Sequence, residues 1–232
     1  MHLPDGIINN QISVGFIAVA VGFLIASFSK LRKSLTEKVV ASKLALADGP
    51  AIESPVNQRS LLTKKGKERM ELMAMLGALI FALQMINFPV TNGTSGHLIG
   101  GFLLAVTLGP WAGLLVISMV LAVQSLVFAD GGLLALGANI FNMGVIASLG
   151  GYFLYRLLSI SKLPQFVIIG FVSWLTVVSA SLFCALEIGL SGTINFSAVV
   201  PAMVKIHSLI GLGEVLLTVL IIKALRLKLY EG

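Results

Sequence analysis

The chain has 232 residues, of which 57% are hydrophobic and only 11% charged, and its mean hydropathy is +0.99. Water-soluble domains carry about a quarter charged residues, so composition excludes an ordinary soluble domain and leaves room for several membrane-spanning segments. Fifteen of the 26 charged residues, ten Lys/Arg and five Asp/Glu, fall within residues 30–71; basic residues beside apolar spans face anionic headgroups, and nucleic acid is not an expected partner. The single cysteine, Cys184, excludes an intramolecular disulfide framework and reads as a small buried hydrophobe.

No basic region opens the chain, since the first Lys or Arg is Lys30, so a secretory signal is not expected and the start Met is expected to be kept. Residues 11–29 form the first spanning run, about 20 residues and about 30 Å as a helix. Residues 30–70, with Pro50, Pro55 and scattered charges, read as a basic, solvated cytoplasmic loop that could contain a short helix. Residues 72–88 are the second span, closed by Pro89. Residues 98–129 are too long for one ordinary span and are broken by Gly109-Pro110. If they form two helices, 98–108 is only about 16 Å long, cannot cross the hydrocarbon alone and must be sheltered by protein. Further spans cover 139–157, 165–186 and 206–225, and residues 1–232 form a single integral membrane domain.

The positive-inside rule decides the count. Seven segments with an external N-terminus place 15 of the 16 basic residues on the cytoplasmic side, with only Lys205 outside; six segments divide them 11 against 5. The expected fold is an all-α, multi-pass membrane protein with seven transmembrane segments, the N-terminus outside and the C-terminus cytoplasmic. That orientation gathers Met1, His2, Asp5, the loop 88–97, Asp130-Gly-Gly132 and His207 on the external side, a surface suited to a cation.

Histidine at position 2 is chemically special, because the Met1 amine, the His2 amide and the imidazole Nδ1 can chelate one metal through adjacent five- and six-membered rings. Tetragonal nitrogen coordination points to Ni(II) or Cu(II), and His97, after a Gly-rich loop, could supply a fourth nitrogen. Read alone, His2 is more readily the second residue of a frayed terminus, although Leu3-Pro4-Asp5-Gly6 has the makings of a turn. His97, in Thr94-Ser95-Gly96-His97, could equally be an interfacial residue at a helix start. His207 and Glu214, seven apart on the last span, share a helix face; as intramembrane ionisable groups they are either a buried interhelical pair or part of a cation path. Asn139 and Asn142 could cap a helix or hydrogen-bond ligands. Ala18, Gly22 and Ala26 on the first span, and Ala74, Ala78 and Ala82 on the second, are four-residue stripes that permit close helix approach, either inside the protein or as a docking face. No nucleotide-binding Gly-x-x-x-x-Gly-Lys-Ser/Thr loop, His-Glu-x-x-His pair or Gly-x-Ser-x-Gly turn is present, so energy for uphill transport must come from a partner or an ion gradient.

Four blocks in order, Met1-His2-Leu3-Pro4-Asp5-Gly6, Gly93-Thr-Ser-Gly-His-Leu-Ile-Gly-Gly101, Asp130 to Val145 and His207-Ser-Leu-Ile-Gly-Leu-Gly-Glu214, resemble the nickel and cobalt substrate-binding membrane subunits (S components) of energy-coupling factor transporters, the NikM/CbiM family. The resemblance implies a seven-helix bundle whose N-terminal tip inserts into the protein, with Met1, His2 and His97 holding the metal and Asp5, Thr94, Ser95, Asp130, Asn139, Asn142, His207 and Glu214 as supporting or pathway candidates. It implies a prokaryotic cytoplasmic-membrane complex with a coupling transmembrane subunit docked on Ala74, Ala78 and Ala82, two cytoplasmic ATPases, and a small membrane subunit that is separate or absent. The chain itself is then a transport subunit with no catalytic cofactor. Pro4-Asp5 looks more like the nickel members, and square-planar nitrogen coordination suits Ni(II) over Co(II). Cobalt uptake by the same family is the alternative; an intramembrane enzyme using His207 and Glu214 as a base pair is a remote one.

Overall fold

A computed structural model describes residues 2–40, 58–86, 88–89 and 95–230. Among them are seven helices: α1 (Asn10–Leu35), α2 (Lys64–Gln84), α3 (Gly101–Leu108), α4 (Pro110–Val127), α5, α6 (Gln165–Leu190) and α7 (Phe196–Ala224). Helix α5 is assembled from Leu136–Ile140, a π-helical middle Phe141–Gly150, and Gly151–Leu158. Two short antiparallel ribbons complete the fold, β1 (Thr36–Val40) with β2 (Gln58–Leu62), and β3 (Phe88–Pro89) with β4 (Ser95–Gly96). Helices α1, α4, α6 and α7 are long and apolar enough to cross a membrane.

The break at Gly109-Pro110 does divide the long apolar run. Gly109 takes φ +90, a left-handed conformation that a side chain disfavours, and Pro110 starts α4 where its missing N–H is not needed. All eight residues of α3 are buried, packed among α2, α4, α5 and α6. Lipid tails are as apolar as Leu, so burial of apolar surface gives little drive here; what decides is whether every backbone group finds a partner. Helix α3 carries no side-chain cap of its own. Its end groups are met from elsewhere: Arg69 Nη2 donates to the Leu108 carbonyl at 2.6 Å and Tyr230 N–H to the Val106 carbonyl at 2.8 Å. At the other end, the Glu214 carboxylate accepts from Ile99 and Gly100. An anion at the helix N-terminus and a cation at its C-terminus both complement the helix dipole.

Several boundaries differ from those expected. The basic stretch is helical at both ends, since α1 runs on to Leu35 and α2 starts at Lys64, and the described flanks pair as the β1–β2 ribbon; residues 41–57, where the short helix could lie, are outside the described residues. Helix α6 continues past 186 to Leu190 and so buries Glu187, and α7 starts ten residues before 206, at Phe196. The small residues of α1 that face the protein are Ser13, Ala20 and Ser27, at seven-residue spacing, whereas Ala18 and Gly22 are exposed. Ala74, Ala78 and Ala82 are exposed too, so that stripe is not spent on internal packing.

Candidate metal centre

The N-terminal segment folds back onto the start of α5. Leu3 N–H donates to Asn139 Oδ1 at 2.9 Å; the Leu3 carbonyl accepts from Gly132 N–H at 2.8 Å and Asn139 Nδ2 at 3.2 Å. Asp5 accepts from Leu133, Leu134 and Ala135 N–H groups at 3.1, 2.8 and 3.2 Å, capping α5 from a distant part of the chain. Thr193 and Ser191 hold Ile7 and Asn9 beside the end of α6. Asp130-Gly-Gly132 is glycine-rich for contact reasons: a Cβ on Gly131 (φ +92) would lie 3.2–3.5 Å from Asn139 and His2, and one on Gly132 would overlap the Asp5 backbone and carboxylate. His2 is accordingly 3% exposed rather than frayed.

His97 is fully buried, and its ring centroid lies 4.3 Å from that of His2. Its Nδ1 is 2.6 Å from the Leu98 carbonyl. A carbonyl can only accept, so Nδ1 carries the proton and the Nε2 lone pair is left free. Nε2 of both His2 and His97 is buried without a hydrogen-bond partner among the described residues. His2 Nδ1 is 2.9 Å from Asp130 Oδ1. Burial pushes the His2 imidazole below the ordinary histidine value of 6.5 even though Asp130 pulls it upward, and burial pushes His97 well below it. The contact with His2 holds Asp130 below its usual carboxylate range. Both imidazoles are thus biased toward the neutral form that a metal requires.

Among the described residues, no cluster of three or more His, Cys, Asp or Glu side chains is placed to hold a metal ion.

The other expected residues divide. Asn139 pairs with the backbone of Leu3, one residue from His2, instead of capping its own helix. Asn142 does not cap its helix; its Nδ2 donates to Glu187 Oε2 at 2.9 Å. His207 and Glu214 do not bond to each other: His207 Nδ1 is 2.8 Å from the Met203 carbonyl, and Glu214 serves the backbone after His97. The paired base that an enzyme reading needs is therefore not formed, nor is the interhelical pair. His207 is fully buried, its Nε2 is also unpartnered among the described residues, and it acts electrostatically on His97. Ser95 lies in β4 opposite Pro89; Met1 and Thr94 lie outside the described residues. Sequence reasoning missed Gln84, whose Nε2 donates to the Ile99 carbonyl at 2.6 Å, and Glu187. The signal for each was a lone polar residue at the end of an apolar run.

The family profile described as "cobalt uptake substrate-specific transmembrane region", CbiM, matches residues 55–229. The chain belongs to the CbiM family. It is 33% identical to a putative fused nickel transport protein NikMN of Archaeoglobus fulgidus, over 92% of this chain and 61% of that protein. It is 34% identical to a probable fused nickel transport protein LarMN of Lactiplantibacillus plantarum, over 79% of this chain and 60% of that one. A cobalt transport protein CbiM of Sorangium cellulosum is 36% identical over 63% of this chain and 68% of its own. This CbiM-family chain thus spans about three fifths of the length of the fused relatives. Its fold matches the crystal structure of a truncated transition metal transporter with a TM-score of 0.80 and 31% identity, covering 97% of this chain and 98% of that one.

Proposed function

We propose that this chain is the metal-capturing subunit of an ATP-driven Ni(II) uptake system in a prokaryotic cytoplasmic membrane, with its N-terminus external. The donors are the Met1 amine, the His2 amide and Nδ1, and His97 Nε2. The observation that carries this reading is the buried pair of neutral-biased imidazoles with ring centroids 4.3 Å apart and His97 Nε2 unpartnered among the described residues. On capture the cation takes over Nδ1 of His2 from Asp130, whose carboxylate remains beside it as counter-charge. Asp5 and Asn139 seat the N-terminal segment, and Thr94 and Ser95, just before His97 in the chain, are supporting candidates. Asn142 supports the bundle below the site. His207 offers a further imidazole on the cation's way out.

The coupling transmembrane subunit docks on the groove of about 850 Å³ between α1, α2 and α4, where Ala74 and Ala78 lie beside Gly77 and Met73, with Ala82 one turn beyond. Two cytoplasmic ATPases drive the cycle. The family profile's description favours a second reading, Co(II) as cargo.

The test is metal titration of purified protein with a native N-terminus, beside His2→Ala, His97→Ala and a form with one residue added before Met1. High-affinity nickel binding with the spectrum of a low-spin, square-planar nitrogen site is expected in the native protein and lost in all three others. Nickel binding retained behind the added residue refutes the chelate. Metal analysis after expression in equimolar nickel and cobalt separates the two cargoes.

A further inference from the structure

The segment 97–100 has no regular structure of its own, yet its backbone is held from two helices at once. The Ile99 N–H donates to Glu214 Oε2 at 2.8 Å and the Gly100 N–H to Glu214 Oε1 at 2.7 Å, while Gln84 Nε2 donates to the Ile99 carbonyl at 2.6 Å. Both side chains are buried, Gln84 fully and Glu214 at 3% exposure. We infer that Gln84 and Glu214 are positioning residues for the metal-binding imidazole, clamping the backbone two residues beyond His97 so that its Nε2 keeps one direction; this rests on the metal-binding reading above.

The chemistry of each group fits the task. Glu214 presents two acceptor oxygens to two successive N–H groups, and an ionised acceptor makes stronger bonds than a neutral one. An amide in its place offers one oxygen and one NH₂, so one backbone N–H must face a donor. Gln84 supplies the complementary donor to a carbonyl that water cannot reach, and without it that carbonyl is buried unsatisfied or the segment moves to find a partner. Between these anchors, His97 has its Nδ1 tied to its own neighbour Leu98, so the direction of Nε2 follows the backbone. Groups that orient a metal ligand in this way are worth about 10- to 100-fold in metal affinity.

The experiment compares wild type, Glu214→Gln, Gln84→Met, His97→Ala and the double variant Glu214→Gln/His97→Ala, all with native N-termini and each checked for folding by size exclusion. Nickel affinity by chelator competition and the visible spectrum are read for each. The clamp predicts a loss of about 10- to 100-fold for Glu214→Gln and for Gln84→Met, with the absorption band moved in the direction seen for His97→Ala. It also predicts no further loss in the double variant, because the two changes remove the same ligand. Unchanged affinity and spectrum in folded Gln84→Met or Glu214→Gln, or losses that simply add in the double variant, overturn the clamp and leave the cargo reading standing. Should Glu214→Gln fail to fold, Gln84→Met alone decides. Absence of nickel and cobalt binding by the wild-type protein overturns both.

Discussion

The smallest informative perturbation is Gly132→Ala. Gly132 is not a positive-φ position, so the added methyl brings no backbone strain. It would instead overlap the backbone N and carboxylate of Asp5, and a rotamer change cannot relieve an overlap with backbone. The N-terminal segment must lift, and the nearest bonds at risk are Gly132 N–H to the Leu3 carbonyl at 2.8 Å and Leu133 N–H to Asp5 at 3.1 Å. Two such bonds are worth about 1–3 kcal/mol together, which moves the ratio of seated to lifted N-terminus by roughly 5- to 150-fold. Apparent nickel affinity falls by up to that factor, because only the seated state brings His2 to His97. The assay is a chelator-competition titration of the folded variant with a native N-terminus. Gly15→Ala is the control, since a Cβ there meets nothing within 4 Å. Affinity within twofold of wild type for Gly132→Ala would refute the reasoning that this glycine seats the ligating segment.

Two further outcomes follow from the geometry. The depressed imidazoles of His2 and His97 favour the neutral folded state, so their contribution to stability is complete above the ordinary value of 6.5 and is lost as pH falls below it toward the depressed values. Thermal unfolding of the metal-free protein should therefore show Tm falling from pH 6.5 to 5, with a shallower slope in His97→Gln; an equal slope in that variant counts against it. Replacing Arg69 by Met removes the donor to the Leu108 carbonyl at 2.6 Å and leaves a buried helix end unmet, at a cost of about 1–3 kcal/mol; Tm should drop in detergent, and an unchanged Tm would show that another group already satisfies that carbonyl.

The division of the apolar run was legible, because Pro110 and Gly109 act through their own backbone chemistry. So was the need to shelter α3, which follows from its length alone. The groups that complete α3 were not legible. Glu214 lies 115 residues from Ile99 and Arg69 lies 39 residues from Leu108, and sequence spacing reports neighbours on one helix, not across a bundle. His207 and Glu214 show the same limit: a spacing of seven puts them on one face, yet each is satisfied by a backbone carbonyl or N–H rather than by the other. Asn139 and Asn142, three apart, should also share a face. The π-helical middle of α5 begins between them, at Phe141, and Asn142 meets Glu187 while Asn139 meets Leu3. The insertion of the N-terminus was only half legible. Pro4-Asp5-Gly6 signalled a turn, but the cradle that receives it is the pair of glycines after Asp130, whose role depends on what is pressed against them.

Helix α2 is bonded to the α3 segment at both ends, through Arg69 to Leu108 and through Gln84 to Ile99. Fifteen residues of α2 separate those two points, about 22 Å of helix, and the exposed Ala74, Ala78 and Ala82 lie between them. Pinned twice, the two helices make one beam. A force on the alanine face would therefore reach the far end of that beam, where the imidazole of His97 sits, and a displacement that lengthened the 2.6 Å Gln84–Ile99 contact by about 1 Å would break it.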